Sequence, residues 1–260
     1  MLQKIRRKWH NKVIAIIIII IALFILVCIT SIIPSVMYNL MNIQLGDETN
    51  AFFDTEIFAE HITTDKELIK TKYLFCTEKF ILSESTCSLD FLQNVPKTKY
   101  LEIYDCTITN YSGIAYLESL EQCNISTSHI PNKDIRYFYT LNHMKSLMIH
   151  NSDLYDISEI TEISNLEGLN LSDNKITDIS GIEKLRRLRV LSLHGNMIDD
   201  YFPLTKCASL ERVIVDYNSI PTEIKKILQE KGVTIVEMKD GKIPDYSDED
   251  FGLIYPSDYN

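Results

Sequence analysis

The sequence lacks the common short motifs of enzyme active sites. It has no GxSxG nucleophile elbow, no GxxxxGK[ST] phosphate loop, no HExxH zinc site and no CxxC pair with metal-ligand spacing. These absences exclude the hydrolases, nucleotide-binding enzymes and zinc proteins that those motifs identify. We therefore predict a protein without enzymatic activity, with no catalytic residue, no metal site and no cofactor.

Positive charge is also scarce. The 26 lysines and arginines stand against 36 aspartates and glutamates, so the net charge is -10. A chain this acidic repels the phosphate backbone of DNA or RNA. Nucleic acid is therefore not an expected partner.

One segment carries no charge at all. Residues 13–33, "VIAIIIIIIALFILVCITSII", would form a helix about 31 Å long, enough to cross the hydrocarbon core of a bilayer. Five basic residues and no acidic residue precede it, so the positive-inside rule keeps residues 1–12 as a cytoplasmic stub. The predicted location is the cell membrane, with one transmembrane helix and an extracytoplasmic C-terminal part.

A cleaved signal peptide is the alternative interpretation of this segment. The apolar run is longer than the usual core of about 7–15 residues, and no A-x-A-like cleavage site follows it. An uncleaved single-pass anchor is therefore preferred.

A five-residue skeleton recurs along the second half of the chain. Leu166, Leu169, Leu171, Asn174 and Ile176 return 22 residues later as Leu188, Leu191, Leu193, Asn196 and Ile198. The same spacing continues in both directions and gives six units between Thr98 and Ser219, with one step of 24 residues that places "IPNKDI" where the next unit has "LYDI". Self-similarity at this period predicts a stack of coils that share one core.

The pattern LxxLxLxxNxL at this period resembles the leucine-rich repeat family. The residue pattern of the 22-residue units is most similar to the internalin-type repeats of bacterial surface proteins. The resemblance covers about half of the chain. It implies an α/β solenoid, a horseshoe segment with short parallel strands on the concave side and 3₁₀ or helical turns on the convex side. It also implies a bacterial, membrane-anchored protein that binds other molecules.

Two polar columns run through the units. Asn174, Asn196 and Asn218 fall where the chain leaves each strand, so their amides are expected to satisfy buried backbone groups of the turn. A column of Asp134, Asp156, Asp178 and Asp200, preceded by Asn110, is expected to open each helical turn as a capping residue.

The remaining segments are interpreted as a tether and caps. Residues 34–49 form the tether, and residues 50–97 form a helix-containing N-terminal cap, with Thr64 and Glu67 at capping-box spacing. The six repeats occupy residues 98–219. Residues 220–238 form the C-terminal cap, with a helix in "PTEIKKILQEKG" and a closing strand in "VTIV", and the acidic stretch 239–260 is predicted to be a disordered tail.

The cysteines divide by position. Cys106, Cys123 and Cys207 occupy inward slots of the repeats and are expected to be buried small apolar residues. Cys76 and Cys87 lie in the predicted cap, where an exported protein has the option of a disulfide, and the sequence leaves that pairing open.

Outward strand positions supply the candidate binding site. Solenoids commonly bind extended partners on this wall. The partner is expected to be a protein, with a glycan as the alternative, and the oligomeric state stays open. A second possible function is a scaffold subunit that associates with a membrane complex through its transmembrane helix. The candidate partner-binding residues are Tyr100, Glu102, Tyr104, Met148, His150, Asn170, Ser192, His194, Arg212, Ile214, Asp216 and Tyr217. Of these, His150 and His194 lie two coils apart, roughly 10 Å, too far to ligate one metal ion.

Overall fold

The structure, a computed structural model, describes residues 56–60 and 78–239 of the 260-residue chain. The chain divides into two units, Met1–Gln44 and Leu45–Asn260, and every described residue belongs to the second. Within the described ranges no helix is long and apolar enough to cross a membrane. The predicted features that lie outside these ranges are the cytoplasmic stub, the transmembrane helix, the tether, Thr64, Glu67, Cys76 and the tail from residue 240.

Among the described residues, nine short parallel strands form the main sheet, and their order in the sheet follows their order in the chain. A separate pair of short parallel strands, Thr86–Ser88 and Thr107–Asn110, forms a second sheet. The strands are β1 (Glu56–Glu60), β2 (Lys79–Ser83), β3 (Thr86–Ser88), β4 (Tyr100–Tyr104), β5 (Thr107–Asn110), β6 (Gln122–Ser126), β7 (Ser146–His150), β8 (Gly168–Asn170), β9 (Val190–Ser192), β10 (Arg212–Asp216) and β11 (Thr234–Met238). All six strands expected from the repeats are present, as β4 and β6 to β10.

Short 3₁₀ segments return the chain from one strand to the next. They span Leu89–Asn94, Ser112–Tyr116, Asn132–Phe138, Ile160–Glu162, Ile182–Lys184 and Phe202–Lys206. The solenoid of short parallel strands and 3₁₀ turns is therefore confirmed for the described residues. The helix and closing strand expected after the last repeat are α1 (Thr222–Glu230) and β11.

The repeated leucines form the core between the sheet and the 3₁₀ segments. Leu166, Leu169 and Leu171 of one coil are fully buried, as are Leu188, Leu191 and Leu193 of the next. At about 25 cal/mol per Å² of apolar surface, each such side chain contributes about 1.5–3 kcal/mol. A single coil has no second layer to bury these side chains against, so the core forms only when coils stack.

The inward asparagines satisfy the backbone of the turns, as predicted. Asn174 donates through Nδ2 to the carbonyl oxygens of Ile149, Leu171 and Ser172, at 2.7, 3.1 and 3.1 Å. Its Oδ1 accepts from the backbone N–H groups of Ser152 and Leu154, both at 3.0 Å. One amide thus makes five hydrogen bonds, and three of them reach the preceding coil.

Asn196 makes a similar but smaller set of bonds one coil later, accepting from the N–H of Ile176 at 3.1 Å. Asn218, in the last repeat, is exposed and has a left-handed backbone with φ of 58°. The expectation of an inward amide is therefore wrong for Asn218, because this turn borders the terminal coil, whose Glu237 carboxylate accepts its N–H.

The capping column is present with one correction. Asp156, Asp178 and Asp200 each accept from the N–H two residues later at 2.8 Å, as an Asx cap requires. In the longer coil Asn132 occupies the position equivalent to these aspartates, and it donates to the Asp156 carboxylate at 2.9 Å. Asp134 lies inside the 3₁₀ segment and is not the capping residue, because the two extra residues of that coil follow Asn132 rather than precede it.

The coil geometry begins before Thr98. Strand β2 pairs in register with β4, so that Phe80 aligns with Leu101 and Leu82 with Ile103, and all four side chains are buried. Strand β1 extends the sheet by one further strand. The described residues just before 98 therefore continue the solenoid, which the predicted cap boundary did not anticipate.

The cysteines of the repeats are buried, as expected. Cys106, Cys123 and Cys207 have free thiols, and burial raises the pKa of Cys106 and of Cys207 to about 11. Cys87 is also buried, on β3. Its predicted partner, Cys76, lies outside the described residues, so that pairing stays a prediction.

Candidate partner-binding face

The concave face consists of the strand side chains that alternate with the core leucines. We call the middle row of this face the central row; it runs through Ile81, Glu102, Asn124, Met148, Asn170, Ser192, Ile214 and Val236, each paired in register with its neighbour. A second row runs beside it through Ser83, Tyr104, Ser126, His150, Ser172, His194, Asp216 and Met238. The register brings the predicted binding residues onto one surface.

A left-handed residue ends most of the strands and sets the edge of this face. Asp105, Thr127, Asn151 and Asp173 have φ between 47° and 54°. The N–H of each donates to a carbonyl of the next coil, for example Asp173 to His194 at 2.8 Å. In the following coil Gly195 takes this conformation, and its N–H donates to the carboxylate of Asp216 at 2.9 and 3.1 Å.

The exposed members of the predicted site lie at its two ends. Tyr100 on β4 is 37% exposed, and Tyr217, which follows β10, is 55% exposed. The Nζ of Lys239 lies 5.5 Å from the centroid of the Tyr217 ring, within the range of a cation–π contact. The half-buried members are Glu102, Tyr104, His150, His194, Arg212 and Asp216.

Four predicted binding residues in the middle of the face are buried. Met148 is 3% exposed, Asn170 2%, Ser192 0% and Ile214 1%. These four side chains are therefore not exposed on the face, and their role in partner binding stays a prediction. Strand alternation determines the direction in which a side chain points, but it does not determine whether another layer lies over it.

Local hydrogen bonds hold part of this buried surface. The Oδ1 of Asn170 accepts from the N–H and the hydroxyl of Ser172, at 3.0 and 2.7 Å. Glu102 lies 3.5 Å from the ammonium of Lys79 on the neighbouring strand. The central row therefore mixes polar and apolar side chains.

The two histidines of the face lie on either side of Asp173. The Nδ1 of His194 lies 3.9 Å from Oδ1 of Asp173. Burial lowers the pKa of His150, and the Asp173 carboxylate partly opposes that shift. No group of side chains suited to a metal ion occurs in the part of the chain that the structure describes.

Sequence reasoning missed one apolar cluster on this face. Val190, Ile214, Val236 and Met238 form a buried cluster on β9, β10 and β11. Of these, only Ile214 was among the predicted site residues. The signal was present in the strand alternation of "TIVEM", but the last strand was interpreted as a cap rather than as part of the face.

Comparisons with known proteins agree with this fold. A family description, "Leucine Rich repeats (2 copies)", matches residues 164–206. No curated protein sequence matches significantly. Residues 164–206 thus match leucine-rich repeats, and the described coils have the geometry of a leucine-rich repeat solenoid.

The solved structures to which this chain is similar include leucine-rich repeat proteins of bacteria. An internalin (InlF) of Listeria monocytogenes is 26% identical, with a TM-score of 0.58 over 74% of this chain and 56% of that chain. Internalin C2 of the same species is 20% identical, with a TM-score of 0.55 over 71% and 80% of the two chains. A leucine-rich repeat protein of Leptospira interrogans is 16% identical, with a TM-score of 0.52 over 76% and 57%.

These likenesses establish structural similarity to Listeria internalins. The chain spans little more than half the length of the InlF and Leptospira chains. An internalin-like leucine-rich repeat fold is typically non-enzymatic and is consistent with protein binding.

Proposed function

We propose that this chain is a membrane-anchored, extracytoplasmic leucine-rich repeat protein that binds a protein partner through its concave face. The observation that carries the proposal is the contrast between the two sides of the strands. The core positions repeat the same apolar residues, whereas the concave positions differ from coil to coil. Side chains that differ between otherwise repeated units supply the specificity of a solenoid surface.

The exposed tyrosines at the two ends of the face are the proposed contact points. Tyr100 and Tyr217 are separated by the strands from β4 to β10, about 24 Å at the usual strand spacing. Tyrosine supplies a large contact area at low cost in side-chain entropy, and it is enriched among residues that dominate binding energy. A partner that spans the face would contact both rings.

The membrane part of the proposal is supported by the sequence alone. The uncharged segment 13–33 has the length of a bilayer span, and the basic residues before it favour a cytoplasmic N-terminus. In a native membrane, protease added from outside should cleave the repeat domain while residues 1–12 stay protected.

A quantitative pull-down tests the proposal. The wild-type chain and the Tyr100→Ala, Tyr217→Ala double variant are used as bait against surface proteins. A true partner should be captured by the wild type and depleted at least tenfold with the double variant, because tenfold corresponds to about 1.4 kcal/mol and two contacting tyrosines together are worth about that much or more.

The matched control replaces two tyrosines outside the concave face. Tyr116 and Tyr155 are 52% and 67% exposed, so their replacement removes as much aromatic surface. Partner capture that depends equally on the control pair would place the site elsewhere. Capture that survives all four substitutions but is lost when residues 1–37 are deleted would favour the scaffold function through the anchor.

A further inference from the structure

A group of basic side chains lies outside the concave face, on three successive coils. Arg186 and Arg187 follow the 3₁₀ segment Ile182–Lys184, Lys206 ends the next such segment, and Lys231 follows helix α1. All four side chains are exposed, and we call them the basic ridge. Because the chain has a net charge of -10, this ridge differs in sign from the protein as a whole.

Hydrogen bonds between neighbouring coils bring the ridge residues onto one surface. The Ser209 hydroxyl donates to the carbonyl of Arg186 at 2.7 Å. From the following coil, the Nζ of Lys231 donates to two carbonyls of the coil that contains Ser209, at 2.6 and 3.3 Å. Arg187, Ser209 and Lys231 follow one another at the 22-residue spacing of the coils. At the usual spacing of about 4.8 Å per coil, the backbones of Arg187 and Lys231 are about 10 Å apart.

Four carboxylates at neighbouring positions of these coils have other partners. Glu162 pairs with Lys184 at 2.9 Å, Glu211 with Arg189 at 2.8 Å and Glu230 with Lys226 at 3.9 Å, and Glu183 accepts the N–H of Gly181 at 3.1 Å. Within residues 56–60 and 78–239, the guanidinium groups of Arg186 and Arg187 make no ion pair and no hydrogen bond. The ammonium of Lys231 donates to neutral carbonyls, and that of Lys206 lies over the Phe202 ring, 5.1 Å from its centroid. The charges of the ridge are therefore not compensated by these carboxylates.

The spacing of the ridge fits carboxylates on an extended chain. A guanidinium binds a carboxylate through two parallel N–H···O bonds. In an extended segment, residues three apart are about 10 Å apart, which matches the separation of Arg187 and Lys231. Ala208 and Ser209, exposed on the coil between the cations, have small side chains, so a backbone can approach closely there.

Nucleic acid and a membrane surface fit the ridge less well. A continuous phosphate backbone would be repelled by the net charge of the chain. Attachment to a lipid surface uses large apolar side chains next to the cations. Here the residues between the cations are Ala208 and Ser209, and one side of the Phe202 ring is covered by the Lys206 ammonium.

We propose that the basic ridge is a second binding surface, separate from the concave face, and that it takes an extended acidic segment of a partner protein. Its charges and spacing carry this assignment. The ridge does not depend on what the concave face binds.

Fluorescence anisotropy with a synthetic peptide tests the ridge. The probe is a labelled glycine–serine peptide with glutamate at every third position, and the protein is the full chain in phosphatidylcholine nanodiscs. The wild type should bind this peptide and should not bind the same peptide with glutamine in place of glutamate. Binding should weaken as the salt concentration rises, because exposed charges are screened.

Two substitutions in the ridge should weaken the binding. The Arg186→Gln, Arg187→Gln variant should bind the glutamate peptide about fivefold less tightly or worse. Fivefold corresponds to about 1 kcal/mol, which is within the range of two exposed ion pairs. The Lys133→Gln, Lys145→Gln variant changes the net charge equally at exposed positions of other coils, so it should bind like the wild type. Far-UV circular dichroism should show that both variants are folded.

A charge reversal provides a gain of binding. The Arg186→Glu, Arg187→Glu variant should lose the glutamate peptide. It should bind a peptide with lysine at every third position more tightly than the wild type does. A loss that came from misfolding would not be accompanied by this gain.

Three results would overturn the assignment. Equal weakening in the Lys133→Gln, Lys145→Gln variant would show attraction to the net charge alone. Equally tight binding of a peptide with the same glutamates in one block would refute the spacing. Flotation of the nanodiscs with phosphatidylglycerol vesicles that requires Arg186 and Arg187, without binding of the glutamate peptide, would assign the ridge to a lipid surface.

The concave-face variant separates this inference from the proposed function. The Tyr100→Ala, Tyr217→Ala variant should bind the glutamate peptide like the wild type. Loss of the peptide in this folded variant would refute a separate surface. Peptide binding that depends on the ridge, in a chain that captures no partner through Tyr100 and Tyr217, would support the ridge and count against the proposed function only.

Discussion

Replacement of Asn174 by Ala is expected to be among the most destabilising polar substitutions in the repeats. The change removes the acceptor of two backbone N–H groups, those of Ser152 and Leu154, each at 3.0 Å. It also removes the donor to three carbonyls. Asn174 is 7% exposed, so solvent does not replace these bonds freely.

The size of the stability loss follows from the two N–H donors that are left without an acceptor. Each buried N–H left without an acceptor costs about 1–3 kcal/mol, so two such groups lower the free energy of unfolding by roughly 2–5 kcal/mol. A water molecule in the vacated space would move the loss toward the lower end. Even that end is a large part of a typical total stability of about 5–15 kcal/mol.

Urea unfolding followed by far-UV circular dichroism measures the loss. The midpoint should shift by about 1 M or more at an m-value of about 1–3 kcal/mol/M. Asn196→Ala should lose less, because Asn196 is only partly buried and accepts from one backbone N–H, that of Ile176. Asn142→Ala, at an exposed position, should stay within about 0.5 kcal/mol of the wild type.

The ordering of the three variants is the decisive result. A loss in Asn174→Ala no larger than that in Asn142→Ala would refute the view that this amide holds two coils together. A larger loss of stability in Asn196→Ala than in Asn174→Ala would show that the number of backbone N–H groups left without an acceptor does not determine the loss. Asn174→Ser should fall between alanine and wild type, since Ser128 fills this slot in an earlier coil and accepts the N–H of Cys106 at 2.8 Å.

Three further substitutions test the packing and the terminal coil. Gly113→Ala should lower the free energy of unfolding by about 2–4 kcal/mol, because its Cβ would overlap the carbonyl of Leu89 in the preceding coil. Gly232→Ala has open space but a φ of 81°, so it should cost only about 1–2 kcal/mol, and equal losses in thermal melts would contradict the steric reasoning. The hydrogen bond from Lys225 lowers the pKa of Glu237 below its ordinary 4.5, so the stability it contributes is complete at neutral pH and is lost as the pH falls through the folded-state pKa. In Glu237→Gln the melting temperature should therefore fall less between about pH 5 and pH 3 than in the wild type, and identical pH profiles would refute that contribution.

The leucine and asparagine spacing predicted the coil because both residue types have one physical role at each position. Leu169 and Leu191 fill the same core layer, and Asn174 and Asn196 satisfy the same turn. The second sheet was not predicted, although "TITN" at Thr107–Asn110 alternates β-branched residues as a strand does. Four residues within a connecting segment are too short a pattern to distinguish from a loop.

The coil that contains β2 was missed because its spacing departs from the repeat, since Lys79 and Tyr100 are 21 residues apart rather than 22. Ser85 stands in the position that Ser128 and Ser152 fill in later coils. Ser85 still serves the turn, since its carbonyl accepts the N–H of Thr107 at 2.8 Å and its hydroxyl donates to the carbonyl of Ser83. Hydrogen bonding by backbone groups is invisible in the sequence.

The candidate face was predicted in direction but not in exposure. Alternation placed Met148 and Ser192 on the concave side, where the structure has them. Their burial is a tertiary property, and no local pattern on a strand encodes it. The same limit applies to Val236 and Met238, whose strand was predicted without its role in the face.

The core leucines alone do not determine the order in which the coils stack. Every core coil fits every other, so a chain that skipped one unit would still bury leucine against leucine. The residue before each strand does distinguish the coils, because its charge changes sign from one coil to the next. Backbone bonds of 2.7 to 2.8 Å connect these residues directly, each N–H to the carbonyl of the preceding coil, in the order Glu78, Lys99, Glu121, Lys145, Glu167, Arg189 and Glu211.

This alternation favours the native order of coils. Lys99 lies 3.2 Å from the Glu78 carboxylate, and Arg189 makes two bonds to Glu211 at 2.8 and 3.0 Å. Each exposed pair contributes no more than about 1 kcal/mol. A skipped unit would place like charges beside each other, such as Lys99 beside Lys145. Such a contact is destabilising, so it disfavours a wrong order at the surface without disturbing the repeated core.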